Sequence, residues 1–205
     1  MRKHERECRN VCLLVNYDLH YLTGGYPEGN TLLDLYIHPL DLVCHLFGQP
    51  KILAYRQVDV STPLSLRRGD GGEASYILML QHPHIVGTLE LSTAYSWTTA
   101  EESMKVCTRS GVYNLSQMES LTFTPNPTTI LSIPIEKLHK KNSTVEYLYH
   151  RNSFVPTLVK NQLYAHGYFN EITAFVNAVE GNYSNVFTNL GTTKSVYETI
   201  KEISG

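Results

Sequence analysis

Between Lys51 and Phe123 the chain is a succession of short apolar segments separated by turn signals, and this stretch limits the fold more than any other feature. The segments occupy residues 52–60, 74–80, 85–94, 103–108, 112–115 and 120–123, each of strand length. His82-Pro83-His84 and Arg109-Ser110-Gly111 each lie between two such runs and supply residues that reverse a chain. Consecutive strands on short connections pair antiparallel, so the stretch predicts a meandering antiparallel sheet. The longest connection, 62–73, contains Arg-Arg-Gly-Asp-Gly-Gly and is expected to be a mobile loop.

A sheet of this kind must cover at least one face, and helical patterns stand on either side of it. Residues 30–47 read as a helix that Asn30 or Thr31 caps; Gly48 sits at its C-terminal cap position and Pro50 blocks continuation. Near the end, Phe169, Ile172, Val176 and Val179 recur at helical spacing until Gly181, and a weaker stripe of Val196, Ile200 and Ile203 marks a helix over 191–203. Residues 11–17 suit a buried strand before a Gly/Pro-rich loop at 23–29, and 145–149 suit another after a Pro-rich connection at 125–134. The fold class is therefore α+β, a largely antiparallel sheet with helices on one face, and 205 residues suffice for one such domain, 1–205.

Composition narrows the partners. With 42% hydrophobic and 18% charged residues the chain is that of a folded protein, and its 14 Tyr favour sheet. A net charge of -2 with scattered basic residues excludes a nucleic-acid-binding face. The opening Met-Arg-Lys-His-Glu-Arg-Glu mixes both signs and lacks the apolar core of a signal peptide, and no apolar run reaches membrane-spanning length. Cys8, Cys12, Cys44 and Cys107 show no CxxC pair, so reduced thiols in a cytoplasmic protein are expected.

Chemistry concentrates in the first helix. At about 100° per residue, Asp34, His38, Asp41 and His45 fall within about 60° of one another, on a single stripe of an otherwise apolar segment. A buried helix whose stripe lines a cleft is the expectation, with the Asp and His side chains paired to offset their desolvation. Pro39 inside the helix forfeits a backbone bond at about 3 kcal/mol, which a purely structural helix would avoid. Three other readings stay open: a Thr31/Asp34 capping box, a structural His38–Asp41 pair, and a metal site at His38, Asp41 and His45.

The segment Leu33-Asp34-Leu35-Tyr36-Ile37-His38-Pro39-Leu40-Asp41, followed by Leu46-Phe47-Gly48, resembles the D-x-x-x-H-x-x-D segment of the Gfo/Idh/MocA oxidoreductases, in their C-terminal domain. Val86-Gly-Thr-Leu-Glu-Leu-Ser92 resembles that family's sheet strand, Ser110-Gly-Val-Tyr-Asn-Leu115 its next hairpin, and Gly167-Tyr-Phe-Asn-Glu-Ile-Thr-Ala-Phe175 its penultimate helix. The order of these matches is the family's, and among its branches the one labelled virulence factor MviM-like is nearest.

The resemblance implies a glyceraldehyde-3-phosphate dehydrogenase-like C-terminal domain that binds a sugar or polyol-like secondary alcohol and takes part in hydride transfer with NAD or NADP. It implies Asp34 and His38 as catalytic residues, with His38 the general acid/base and Asp34 orienting its ring or the substrate, and a homodimer through the sheet face. Asn30, Thr31, Asp41, Tyr95 and Trp97 are the substrate-binding candidates, the two aromatics as sugar platforms at a strand end. The family's N-terminal Rossmann domain is expected to be absent: no G-x-G-x-x-G follows a strand, and Glu136-Lys137 is followed by Leu138 where the family has Pro. The chain alone is accordingly expected to bind no nicotinamide cofactor and to be inactive, the cofactor belonging to the full-length parent. A non-catalytic dimerisation module is the alternative.

Overall fold

In a computed structural model of the chain, the description covers residues 14–24, 32–59, 74–138, 144–151, 167–182 and 190–204. The elements are β1 (Leu14–Leu22), a π-helical turn (Leu32–Tyr36) running into α1 (Ile37–Phe47), β2 (Lys51–Asp59), β3 (Ala74–Gln81), β4 (Val86–Ser92), β5 (Glu101–Thr108), β6 (Gly111–Ser116) and β7 (Ser120–Pro125). After them come a two-stranded hairpin, β8 (Thr129–Ile130) with β9 (Ile133–Pro134), then β10 (Glu146–His150), α2 (Tyr168–Val179) and α3 (Leu190–Ser204).

Eight strands form one sheet in the order β10-β7-β6-β5-β1-β4-β3-β2. All its neighbours are antiparallel except β1 and β4, which run parallel. The predicted meander is thus present, with strand ends within one or two residues of most expected boundaries, and the α+β class holds. The first strand differs: it runs on to Leu22, because Tyr17, Leu19 and Tyr21 alternate with Asp18 and His20 and so suit a strand with two unlike faces. The predicted mobile loop at 62–73, the capping residues Asn30 and Thr31, and Cys8 and Cys12 lie outside the described residues.

One face of the sheet carries the core. Tyr17 and Leu19 of β1, Tyr76, Leu78 and Leu80 of β3, and Leu89 and Leu91 of β4 alternate with exposed or half-buried neighbours and are buried. Leu40 and Val43 of α1 and Val196, Ile200 and Ile203 of α3 complete the same cluster, and α1 and α3 pack on each other. Each such side chain contributes about 1.5–3 kcal/mol by leaving water. The weaker of the two predicted C-terminal stripes is therefore the one in the core. The stronger, Phe169, Ile172, Val176 and Val179 on α2, stands exposed.

The opposite face is paired by polar cross-strand contacts. His20 bonds Glu90 at 3.0 Å, Thr88 donates to Asp18, and Ser75 and Ser92 lie 2.6 Å apart. Ile77, Met79 and Val58 are exposed towards the β2 edge. No helix among the described residues is long and apolar enough to cross a membrane.

Candidate functional site

Both ends of α1 are built to hold it at one height above the sheet. At its start, the chain enters through the π-helical turn Leu32–Tyr36. In α-helical register Pro39 would clash with the Leu35 carbonyl and leave it unbonded; the wider turn just ahead relieves that conflict. The cost that made Pro39 look like a mark of function is therefore largely absorbed by local geometry. Tyr36, fully buried, meets the Tyr76 and Tyr21 rings edge-on and hydrogen-bonds Thr93; burial pushes its hydroxyl pKa up.

At the other end Gly48 adopts φ +86° and its N–H donates to the Cys44 carbonyl at 2.9 Å, the cap expected from the sequence. The Gly48 carbonyl in turn accepts from His82 Nδ1 at 2.6 Å. Because a carbonyl only accepts, His82 carries its proton on Nδ1, and Nε2 accepts from the Tyr17 hydroxyl at 2.8 Å. Tyr17 stacks on Phe47 with centroids 4.8 Å apart, and its ring lies over Gly87, the residue beside it in β4, so closely that a Cβ there would meet ring carbons at 2.1 Å. Burial lowers the His82 pKa and raises that of Tyr17, which keeps both neutral.

The stripe does not sit where the sequence suggested. Leu35, Tyr36, Pro39, Leu40 and Val43 are the buried side of this segment, while Asp34, His38 and His45 are exposed and Asp41 is half-buried. The helix is half-buried, with its ionisable residues turned away from the sheet. No hydrogen bond joins Asp34 to His38 among the described residues. Nor do three His, Cys, Asp or Glu side chains among them gather into a group that could hold a metal. Along a helix His38 and His45 are separated by about 10 Å of rise, so they do not stand on adjacent turns. Cys44 and Cys107 are free thiols, and burial with the nearby Asp41 charge pushes Cys44 up to about 11.

His38 nevertheless borders a cavity of about 250 Å³ between the start of α1 and strands β1 and β5. Leu19, Tyr21, Pro39, Leu42 and Met104 give it apolar walls, and Met118 reaches it from the β6–β7 turn. Glu102 lines it too. Its register partner Tyr21 and its alternation with Met104 and Val106 place it on the helix-covered face. Desolvation raises the Glu102 pKa, and the nearby His38 opposes that rise. The sequence reading missed Glu102, although a charge in the inward register of an apolar strand was a visible signal.

Of the remaining predicted site residues, Tyr95 and Trp97 are about half exposed and neither lines the cavity. They flank the Ser96-capped turn Trp97–Thr99, and the Trp97 indole lies against Gly24, where a Cβ would meet it at 2.8 Å. That contact is packing against the backbone beyond β1.

The chain, with its eight-stranded sheet and single parallel pair, shares its fold with part of several solved oxidoreductases. The fold is found in a dehydrogenase (MviM) from Clostridium difficile, with TM-score 0.66 and 13% identity over 98% of this chain and 57% of that one. The UDP-N-acetylglucosamine 3-dehydrogenase GnnA from Acidithiobacillus ferrooxidans matches at TM-score 0.60 and 17% identity, over 98% and 56% of the two chains. KijD10, a 3-ketoreductase from Actinomadura kijaniata solved with TDP-benzene and NADP, matches at TM-score 0.57 and 10% identity, over 96% and 54%. The chain therefore shares its fold with part of each of these oxidoreductases. The likeness at these identities is one of fold, and the chain spans little more than half the length of each of these dehydrogenases. No family model and no curated protein sequence matches the chain.

Proposed function

We propose that this chain is the substrate-binding half of an NAD(P)-dependent oxidoreductase that acts on a secondary alcohol of a sugar or polyol. The observation that carries this reading is the position of His38 at the mouth of an apolar cavity, in a fold shared with a nucleotide-sugar dehydrogenase and a ketoreductase. Removing hydride from a carbinol carbon requires loss of the hydroxyl proton, and an imidazole is the side chain best suited to that transfer near neutral pH. In this reading a ring nitrogen of His38 takes the proton of the substrate hydroxyl, and Asp34, one turn earlier, orients the ring once the cleft is closed. The exposed stripe is then the surface that a nucleotide-binding domain covers.

In this reading a separate nucleotide-binding domain supplies the glycine-rich strand-to-helix turn that cradles the pyrophosphate. The open sheet face, with Ile77 and Met79 exposed, supports a homodimer as part of the same reading.

The test is hydride transfer between a panel of nucleotide sugars and NAD(P), followed by nicotinamide absorbance, using this domain joined to its nucleotide-binding domain. His38→Ala is expected to lower kcat by about 10²–10⁴-fold with Tm unchanged. Turnover retained by that variant would overturn the assignment.

A further inference from the structure

Glu102 is a half-buried carboxylate in a largely apolar cavity wall that His20, His38 and Ser103 also line, and His38 is the group near enough to act on its charge. Among the described residues its carboxyl oxygens have no hydrogen-bond or ion-pair partner, and it caps no helix. A carboxylate placed so is costly unless something pairs with it. Its backbone, by contrast, is held by two hydrogen bonds with one residue, which also bonds Ala100 two positions earlier. Gln117 N donates to the Glu102 carbonyl at 2.6 Å, Gln117 Oε1 accepts from the Glu102 N–H at 3.3 Å, and Gln117 Nε2 donates to the Ala100 carbonyl at 3.2 Å.

The clamp sits in a strained turn. Gln117 and Met118 adopt φ of +51° and +53°, the left-handed region that side chains other than Gly, Asn and Asp resist, at about 1–2 kcal/mol each. That conformation brings the Gln117 amide onto the start of β5 and Met118 to the cavity wall. A strained hairpin that fixes the backbone of a carboxylate-bearing residue beside a cavity is a feature a binding site uses.

We propose that Glu102 is a specificity-determining residue, accepting hydrogen bonds from a hydroxyl pair of a neutral sugar or polyol ring that lies in the cavity between it and His38, and rejecting acidic sugars. This rests on the reading of the cavity as a sugar site. A carboxylate offers two oxygens, matching two adjacent hydroxyls of one ring, while the apolar walls take the ring's C–H faces. A carboxylate on the ligand would meet a like charge at short range in partly desolvated surroundings, which disfavours it strongly.

The experiment titrates the full 205-residue chain with glucose and with glucuronate, reading backbone amide shifts by NMR. The wild type is expected to prefer glucose by about tenfold or more, with shifts centred on Tyr21, Leu42 and Met104, and Glu102→Gln to bring the two affinities within about threefold. Should Glu102→Gln unfold, which its amide spectrum reveals, Glu102→Met is read in its place. A wild type that binds neither sugar at the cavity or binds them equally overturns the proposal, as does a substituted chain that keeps the preference. Loss of the preference in a protein whose turnover ignores His38 would sink the catalytic reading alone. Turnover that depends on His38 with the preference unchanged would sink the role of Glu102 alone.

Discussion

Replacing Gly87 by alanine places a methyl group 2.1 Å from the Cε1 and Cζ atoms of Tyr17, against an ordinary contact of 3.4–4 Å. The Tyr17 ring must retreat by more than an ångström, yet it is only 1% exposed and stacked on Phe47. Overpacking of this kind costs about 1–3 kcal/mol. A displaced ring also breaks the hydrogen bond to His82 Nε2 and strands a buried acceptor, at about 1–3 kcal/mol. Alanine recovers about 0.5–1 kcal/mol through its better strand conformational entropy. The net expectation is a loss of roughly 1–5 kcal/mol and a fall in Tm of roughly 2–20 °C for a domain of this size. Urea unfolding followed by circular dichroism measures it. A double-mutant cycle isolates the cause: with Tyr17→Leu already present, Gly87→Ala should cost almost nothing. The reasoning is refuted if Gly87→Ala alone stays within ~0.5 kcal/mol of wild type, or if its cost is the same in both backgrounds. Because the Tyr17–His82–Gly48 chain ties down the end of α1, the destabilised variant should also show weaker sugar shifts around Leu42.

Acid should loosen the same tie. Burial holds the folded His82 pKa below 6.5, so below that pH the unfolded chain binds a proton that the folded chain resists; the stability is complete above about 6.5 and is lost as pH falls towards the folded value. Urea midpoints at about pH 7.5 and 5.5 should therefore differ, and His82→Gln should remove that part of the difference; an identical pH slope in the variant would contradict it. Replacing Gln117-Met118 by Asn-Gly should relieve about 2–4 kcal/mol of left-handed strain, offset by about 1–3 kcal/mol for the two lost Gln117 side-chain hydrogen bonds, for a net gain of about 1 kcal/mol, yet weaken glucose binding by loosening Glu102. A turn sequence that raises stability without touching binding, or fails to raise it, would show that the strain serves no site.

What the amino-acid sequence by itself determined is the local geometry. The strands from β2 to β7 were legible because each alternates or runs apolar between residues that turn the chain. The end of α1 was legible because Gly48 reaches a positive φ at no steric cost. The first strand was readable in the alternation of Tyr17, Leu19 and Tyr21 with Asp18 and His20, but an apolar run ending at Tyr17 obscured it. Periodicity likewise grouped Asp34, His38, Asp41 and His45 on one stripe, whereas the strand expected from Ser103 onward left out Glu102, which alternates with Met104. It carries no information about which side of an element meets the core, so the tertiary structure decided that the stripe faces outward while Leu40 and Val43 face the sheet. It also decided that α3, not α2, fills the core. His82 reads as a turn residue in the sequence, and only the sheet order brings it to Tyr17, 65 positions away. The union of His38 with Glu102 has the same origin: residues from α1 and β5 share a cavity because β1 lies beside β5 and α1 packs over that side of the sheet. Such proximity is set by long-range pairing, which no local pattern encodes.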